Sequence, residues 1–308
     1  MKSSFLITSV IIAILATISC NKTATTPSKT APLQDSLENI ASRYPGEIGI
    51  AVIIDRKDTV IVNNEDKYPL MSVFKLHQAM SLCRLFDETG TPLDTIIEIN
   101  RNDLDPHTWS PMLKDHPESE IRASVAELMH YTLMQSDNNA SNLMFNRLQN
   151  VCSTDSFIAT IIPRNSFRLS VTEAEMSKDH SLAYENHSSP LGVAMLIDRL
   201  FNDSLVSRPK QEFICDALRE CTTGTDRIVA PLADKKGVTV GHKTGSGYVS
   251  PEGILAAHND AAFITLPDGR QYTLVVLVKD FHGNEKQTAA AIAHVSKCVY
   301  EFLNHQSE

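Results

Sequence analysis

The stretch "IGIAVIIDRKDTVIV" at residues 48–62 indicates how the fold begins. Its first seven residues form a continuous apolar run, the segment from Asp55 to Asp58 is polar, and a second apolar run follows. Two such runs joined by a polar turn are typical of a β-hairpin. The sequence therefore predicts two paired strands near the N-terminal end of the chain.

Three more strands are predicted near the other end. They are the runs "VTVGHKTG" (238–245), "AAFITL" (261–266) and "YTLVVLV" (272–278). Pro267, Asp268 and Gly269 supply a turn between the last two runs. Strands at both chain ends favour one sheet that both ends build together.

The remaining segments have apolar residues three and four positions apart, which indicates helices. Terminal helices are predicted before Pro45-Gly46 and from about Lys286 to Leu303. Between the two groups of strands lie the helical runs at 124–135, 138–150 and 189–203. We predict an α/β fold of the α+β type, in which an antiparallel five-stranded sheet with flanking terminal helices carries an inserted all-helical domain. The sheet domain comprises 33–70 and 220–308, and the helical domain comprises 71–219.

The N-terminus has the layout of an export signal. Lys2 precedes an apolar run from Phe5 to Ala16, and a short segment of small and polar residues leads to Cys20. The Ile-Ser-Cys ending resembles the lipobox of bacterial lipoproteins, whereas cleavage nearby or an uncleaved anchor are alternatives. We predict a lipoprotein-type signal peptide at 1–20 with Cys20 lipidated, a disordered tether at 21–32, and an exported, periplasmic protein whose only membrane attachment is this anchor.

Composition limits the classes of partner. The 308 residues are 42% hydrophobic, enough for a full core, and the formal charge of -9 argues against a nucleic-acid binder. We expect a monomer with small-molecule partners. The eleven histidines show no metal-ligand spacing, so no metal site is expected. The cysteines after Cys20 lack C-x-x-C spacing and are interpreted as small buried residues; they are Cys83, Cys152, Cys215, Cys221 and Cys298.

"MSVFK" at 71–75 contains Ser72 and Lys75 within an apolar run. If a helix begins near Ser72, the two side chains lie one turn apart on the same face. A lysine in apolar surroundings loses its charge more easily and can activate a serine nucleophile. S-x-x-K alone is common by chance, and a surface lysine is the alternative.

Two further motifs contain polar side chains that could act together with Ser72 and Lys75. Ser136-Asp137-Asn138 lies at the junction of two predicted helices, where the hydroxyl could relay a proton and the amide could orient a lysine and a substrate; ordinary helix capping is the alternative. Lys243-Thr244-Gly245 lies on a predicted strand, where a cation and a hydroxyl can bind a carboxylate. Gly245 allows another backbone to approach closely.

S-x-x-K, S-D-N and K-T-G in this order are typical of penicillin-recognising serine enzymes. The chain resembles that superfamily over residues 34–305, and "YPLMSVFKLHQA", "TLMQSDNNASNLMF" and "VGHKTGSG" are most similar to class A β-lactamases of the CfxA-type cephalosporinase branch of Bacteroides and relatives. The resemblance implies the penicillin-recognising fold and hydrolysis of β-lactam antibiotics, with cephalosporins preferred. It also implies that neither a metal nor an organic cofactor is needed.

The resemblance also assigns roles to residues. Ser72 is the nucleophile, Lys75 its base or base partner, and Ser136 the relay to the leaving nitrogen. Glu173, in "VTEAEMS" at 171–177 within an irregular loop at 165–189, activates the deacylating water, and Glu175 is its rival. The other assigned residues are Asn138, which orients the substrate, Lys243, Thr244 and Gly245 on the carboxylate-binding strand, and the backbone N–H groups of Ser72 and Ser246, which bind the oxyanion.

The chain departs from the family pattern at several positions. Ser177 replaces an asparagine that helps to hold the water, and Val171 replaces an arginine that fastens the loop, so a differently folded loop with a roomier site is expected. His242 stands where an aspartate is common. Arg227 matches a substitute carboxylate-binding arginine, with a surface salt bridge as the alternative. Trp109 lines the cleft entrance or is a core aromatic.

Two other functions remain open on the sequence. A cell-wall D,D-peptidase has the same three motifs, and a β-lactam sensor is acylated without turnover. The loop with Glu173 argues against both, because only rapid hydrolysis needs a second base.

Overall fold

The computed structural model describes residues 29–64 and 67–305. The predicted signal peptide and residues 21–28 of the predicted tether lie outside the described residues. The helices are α1 Ala31–Ala41, α2 Phe74–Thr89, α3 Pro111–Asp115, α4 Val125–Met134, α5 Asn138–Arg147, α6 Val151–Ile158, α7 Glu173–Lys178, α8 Pro190–Asn202, α9 Arg208–Arg219 and α10 Glu285–His305. The strands are β1 Glu47–Ile54, β2 Asp58–Val62, β3 Tyr68–Pro69, β4 Ile96–Asn100, β5 Glu120–Ser124, β6 Phe167–Arg168, β7 His187–Ser188, β8 Thr239–Ser246, β9 Ile254–Thr265 and β10 Gln271–His282.

The main sheet joins both ends of the chain, as predicted. Its strand order is β2-β1-β10-β9-β8, and every neighbouring pair is antiparallel. β1 and β10 lie side by side, with Ile50 opposite Val276. The predicted five-stranded antiparallel sheet is confirmed, and β8 is one of its two edge strands.

The sheet is covered on both faces, which explains why β1 is apolar from Ile48 to Ile54 rather than alternating. Ile50 and Val276 share one hydrophobic cluster with Leu37 of α1 and Val295 of α10. The opposite face, which includes Ala51, belongs to a second cluster that extends into the middle helices. α8 contacts β1, β9 and β10, so the inserted part packs directly on the sheet.

The inserted part is mostly helical, but it is not all-helical as expected. β4 pairs with β5, and β6 and β7 form a small sheet with β3, which lies just before the inserted part. Ile97 and Ile99 face Ala123 and Ile121, with polar residues between them. This alternation is the strand pattern, and it outweighs the helical character of the surrounding sequence.

The first helix begins earlier than expected. α1 starts at Ala31, inside the segment that was predicted as tether, and Pro32 lies in its first turn. Proline favours this position because its φ is already helical and its missing N–H needs no partner there. Among the described residues, no helix combines the length and the apolar character that crossing a bilayer requires.

Candidate active site

Ser72 and Lys75 meet where a tight turn enters α2. Ser72 lies in the 3-10 turn Met71–Val73 just before the helix, and Lys75 Nζ donates to Ser72 Oγ over 3.0 Å. Lys75 is 0% exposed. Burial lowers the pKa of Lys75, although the neighbouring Glu173 opposes this shift. The lysine is therefore buried, paired and close enough to take the serine proton.

The turn that presents Ser72 is fastened to the sheet. Met71 adopts a left-handed conformation, with φ 46°, which is costly for a residue with a side chain. Asn259 of β9 donates from Nδ2 to the carbonyls of Pro69 (2.7 Å) and Leu70 (3.2 Å). A Cβ at Gly245 would lie 2.5 Å from the Leu70 carbonyl oxygen, so only glycine allows β8 to approach this turn.

The S-D-N segment between α4 and α5 serves both capping and the site. The Asp137 side chain accepts from the Ala140 N–H and is the N-cap of α5. Lys75 Nζ donates to the Ser136 carbonyl over 2.8 Å and to Asn138 Oδ1 over 2.6 Å. The Ser136 hydroxyl accepts from Lys243 Nζ over 3.0 Å. Ser136 thus lies between the two lysines.

Glu173 completes the contacts around the nucleophile. Its Oε1 accepts from Ser72 Oγ over 2.8 Å and lies 3.0 Å from Lys75 Nζ, and the residue is 5% exposed. The rival Glu175 is exposed and forms a capping box with Thr172 at the start of α7. Of the two glutamates, Glu173 alone faces Ser72.

The loop at 165–189 is more regular than predicted and is held by amides rather than by an arginine. It contains α7 and the 3-10 helix His180–Glu185, because the capping box nucleates a turn that apolar spacing does not reveal. The buried Asn186 accepts from the N–H groups of Ser170 (2.8 Å) and Val171 (3.1 Å) and donates to the Val171 carbonyl (2.8 Å). Asn186 therefore fastens the segment where Val171 offers no charge.

β8 forms the opposite wall of the site. Lys243 is fully buried, and burial is the main reason that its pKa falls to about 7. Thr244 Oγ1 lies 2.6 Å from Thr223 Oγ1. The Gly247 N–H bonds to Ala257 of β9. Because successive N–H groups of a strand alternate in direction, the N–H of Ser246 is directed to the open edge, where an oxyanion could be bound.

Arg227 lies under this wall rather than on the surface. It is 6% exposed, and Nη2 donates to Ser246 Oγ over 2.7 Å, while Nη1 donates to the Asn259 carbonyl over 2.7 Å. Arg227 thus reaches the site through the Ser246 hydroxyl, and the surface salt bridge considered above does not describe it. Trp109 is 55% exposed, so it is not a core aromatic, and its Nε1 donates to the Gln135 carbonyl near Ser136.

Comparison with known proteins agrees with this geometry. Residues 32–303 match the sequence model of the Beta-lactamase enzyme family. A β-lactamase of Phocaeicola vulgatus is 56% identical over 289 residues, which cover 94% of this chain and 90% of that protein. The chain belongs to the class A serine β-lactamases. The extended-spectrum β-lactamase PER-1 of Pseudomonas aeruginosa is 30% identical over 90% of this chain and 89% of its own length. A class A β-lactamase structure from Bacteroides cellulosilyticus superposes with a TM-score of 0.84 at 29% identity, covering 91% of this chain and all of that one.

Several residues of this β-lactamase site were not predicted from the sequence. They are Thr108, which accepts from Asn138 Nδ2, together with Asn186, Thr223 and Asn259. The signal for Asn259 was present, because "HND" at 258–260 places three polar residues inside the otherwise apolar β9. The other three are polar residues in loops, and their partners are distant in sequence.

The cysteines of this β-lactamase fit the buried interpretation only in part. Cys83 and Cys215 are buried, but Cys152 is exposed, and Cys221 and Cys298 are partly exposed. All five are free thiols. In the described part of the chain, no group of three or more His, Cys, Asp or Glu side chains is placed to hold a metal ion.

Proposed function

We propose that this β-lactamase works through a Ser72 acyl-enzyme that is released by a water activated by Glu173, and that it prefers cephalosporins. The observation that supports the route is the shared contact of the carboxylate. Glu173 Oε1 lies within 3.0 Å of both Ser72 Oγ and Lys75 Nζ.

Acylation begins at Ser72. Its Oγ attacks the lactam carbonyl while its proton passes to Lys75 or Glu173, both of which contact the hydroxyl. The N–H groups of Ser72 and Ser246 stabilise the oxyanion. As the C–N bond breaks, the Ser136 hydroxyl, which contacts Lys243, delivers a proton to the nitrogen.

Deacylation needs a second base, and the contact of Glu173 with Ser72 supports this role for the carboxylate. A water between the carboxylate and the ester carbon transfers a proton to Glu173 as its oxygen attacks. The ester bond to Ser72 then breaks and the serine regains a proton. A D,D-peptidase or a sensor, the two rival functions, has no need for a buried carboxylate against the nucleophile.

Replacement of Glu173 tests the route. Glu173→Ala should still be acylated by a chromogenic cephalosporin, but turnover should fall by about 10³-fold because the water has no base. Intact mass should show a persistent adduct on this variant and a transient one on the wild type. Glu175→Gln, on the same helix but facing solvent, is the matched control and should keep near wild-type turnover. Unchanged steady-state turnover of Glu173→Ala would reject the role.

The preference for cephalosporins, in particular those with large acyl side chains, rests on the space beside the loop. A cavity of about 360 Å³ lies between the 165–189 loop and the turn after β8, and its lining includes His180, Tyr184 and Tyr248. The His180 and Tyr248 rings stack with centroids 3.5 Å apart. A relative named as an extended-spectrum enzyme supports the same inference. The test compares kcat/KM for a cephalosporin and a penicillin that carry the same acyl group; equal values or a penicillin excess would contradict it.

We also propose that Arg227, Lys243 and Thr244 bind the substrate carboxylate, with Arg227 acting through Ser246. Trp109 is proposed to border the entrance. Arg227→Gln should raise KM for carboxylate-bearing substrates more than it lowers kcat. A change confined to kcat would contradict this role.

Export as a periplasmic monomer anchored through Cys20 is the remaining part of the proposal. The layout of residues 1–20 supports export, and Cys20 follows a lipobox-like ending. Cys20→Ser should move the protein from the membrane to the soluble fraction and abolish labelling by a fatty-acid probe. Unchanged membrane association and labelling would contradict the anchor. Light scattering of the soluble variant measures the oligomeric state.

A further inference from the structure

The side chains of Asp260, His242 and Cys221 form a chain at strand β8, which contains His242 and is called the carboxylate-binding wall because of its proposed role. His242 Nδ1 lies 2.9 Å from Asp260 Oδ1, and both residues are buried. Asp260 is itself held by the N–H of Ile228 over 3.0 Å. The Cys221 thiol is a hydrogen-bond partner of the same imidazole. The histidine is therefore placed between a carboxylate and a thiol, the arrangement that activates a cysteine.

The charges around Cys221 favour a thiolate. Burial opposes ionisation, but the hydrogen bond and charge of His242, with a further contribution from Lys243, lower the pKa of Cys221 to about 7. Burial also opposes the charge on His242, but Asp260 and Cys221 raise its pKa to about 10. The Arg227 guanidinium also interacts with the Cys221 charge.

Three other cysteines of the described residues have the opposite environment. Burial raises the pKa of Cys83 to about 12 and that of Cys215 to about 11. Burial likewise raises the pKa of Cys298. The described part of the chain thus places a thiolate-favouring environment around Cys221 and an opposite one around these three.

The Thr223 hydroxyl connects Cys221 to Thr244 of the carboxylate-binding wall. Its Sγ lies 3.3 Å from Thr223 Oγ1, which lies 2.6 Å from Thr244 Oγ1. Cys221 is partly exposed and its neighbour Thr222 is exposed, so a small reagent can approach from solvent. A group added to Sγ would crowd the Thr223 hydroxyl, which contacts Thr244.

We propose that Cys221, activated by His242 and Asp260, is a modification site for small thiol-directed electrophiles, and that an adduct there disables the carboxylate-binding wall. With an alkyl iodide, Sγ attacks the carbon, a C–S bond forms, the C–I bond breaks and iodide leaves. With a small disulfide, Sγ forms a new S–S bond and the other sulfur leaves as a thiolate. The expected loss of activity rests on the proposed role of Lys243 and Thr244 in carboxylate binding, whereas labelling of Cys221 is read by mass and depends neither on that role nor on the Glu173 route.

The experiment treats the full chain with iodoacetamide at pH 7 and maps labelled peptides over time. The exposed Cys152 is the internal reference for an accessible thiol. Cys221 should be labelled about tenfold faster than a thiol of ordinary pKa. Loss of cephalosporin acylation should follow Cys221 labelling, with KM affected before kcat.

Variants of three residues show whether Cys221 reacts because His242 activates it or only because it is accessible. Cys152→Ser should show the same labelling of Cys221 and the same loss of activity. Cys221→Ala should keep, after treatment, the activity that it had before. His242→Asn, checked for folding by circular dichroism, should label Cys221 at least fivefold more slowly at pH 7. Labelling of Cys221 no faster than that of Cys152, or full activity with Cys221 completely alkylated, would overturn the proposal.

Discussion

At the scale of single residues, the site contains two fully buried lysines, Lys75 and Lys243, whose pKa values are lowered by burial. Lys75 contacts the Glu173 carboxylate, so part of the cost of its burial is recovered by an ion pair. Within the described residues, the hydrogen bonds of Lys243 go to two neutral oxygens, those of Ser136 and Thr244. Both lysines are 0% exposed but differ in their partners, which is consistent with the proposed roles of Lys75 in proton transfer and of Lys243 in carboxylate binding.

The low pKa of Lys243 gives a prediction for the pH dependence of binding. Burial lowers this pKa to about 7, so the amine is charged below that pH and neutral above it. Attraction of a substrate carboxylate is therefore lost as the pH rises. We expect kcat/KM for a carboxylate-bearing cephalosporin to fall roughly three- to tenfold between pH 7 and 8.5. Stopped-flow acylation rates across this range measure the effect.

A lysine-to-arginine exchange is the matched control for that profile. The guanidinium of Lys243→Arg stays charged throughout, so the fall above pH 7 should disappear, whatever the absolute rate of the variant. A wild-type profile that stays level to pH 9 would exclude titration of Lys243.

The loop that carries Glu173 is the element on which the proposed deacylation depends. It is fastened at one side by Asn186 and at the other by Asn142, whose Oδ1 accepts from the Ala174 N–H over 3.1 Å. Glu175 and Thr172 cap α7 between these points. Two neutral amide side chains thus hold the loop, whereas the family pattern has an arginine at the position of Val171. Both amides bond to the backbone of the loop.

Removing Asn186 should loosen this element. Asn186→Ala leaves the buried Val171 N–H and carbonyl without their partners, which should cost about 2–4 kcal/mol of stability and displace Glu173. We expect kcat to fall about tenfold with accumulation of acyl-enzyme, as seen by intact mass.

The N-cap of α6 offers a control for general destabilisation. Asn150→Ala removes a cap from a helix without site residues and should cost about 1 kcal/mol while leaving kcat unchanged. If Asn186→Ala lowers the melting temperature but deacylates at the wild-type rate, the loop does not depend on this amide.

At the scale of the whole molecule, stability in acid depends on buried histidines. His77 of α2 is fully buried beside Phe167, and burial lowers its pKa to about 4. In the unfolded chain the pKa is about 6.5, so the unfolded state takes up a proton first as the pH falls. Stability is therefore lost between pH 6.5 and 4. His242 acts in the opposite sense, because its raised pKa contributes stability below pH 6.5 that is lost as the pH rises toward 10.

Replacement of His77 should reduce the acid sensitivity. Between pH 7 and 4.5, His77→Leu should lose roughly 2 kcal/mol less stability than the wild type, as measured by chemical denaturation at each pH. His294→Asn, at an exposed position of α10, should show the wild-type dependence. An identical loss in His77→Leu and wild type would contradict the buried neutral state of His77.

The sequence by itself determined the sheet, the main helices and the order of the three motifs, because apolar periodicity and short motifs are local properties. The predicted bounds of β1 and β10 lie close to the observed ones. Only the second half of β9 was predicted, because polar residues interrupt the apolar pattern in its first half. The short strands β3 to β7 and the helices α3, α6, α7 and α9 were not predicted, because most of them are short and their apolar spacing does not stand out from the surrounding sequence.

Only the tertiary structure showed that Glu173 rather than Glu175 contacts Ser72, placed Arg227 under Ser246, and brought Cys221 close to His242. Those outcomes depend on contacts between residues far apart in the chain, and on which side chains lose water. Burial lowers the pKa of Lys75 and of Lys243 and opposes ionisation of Cys221, and no local pattern records how much burial a side chain will have.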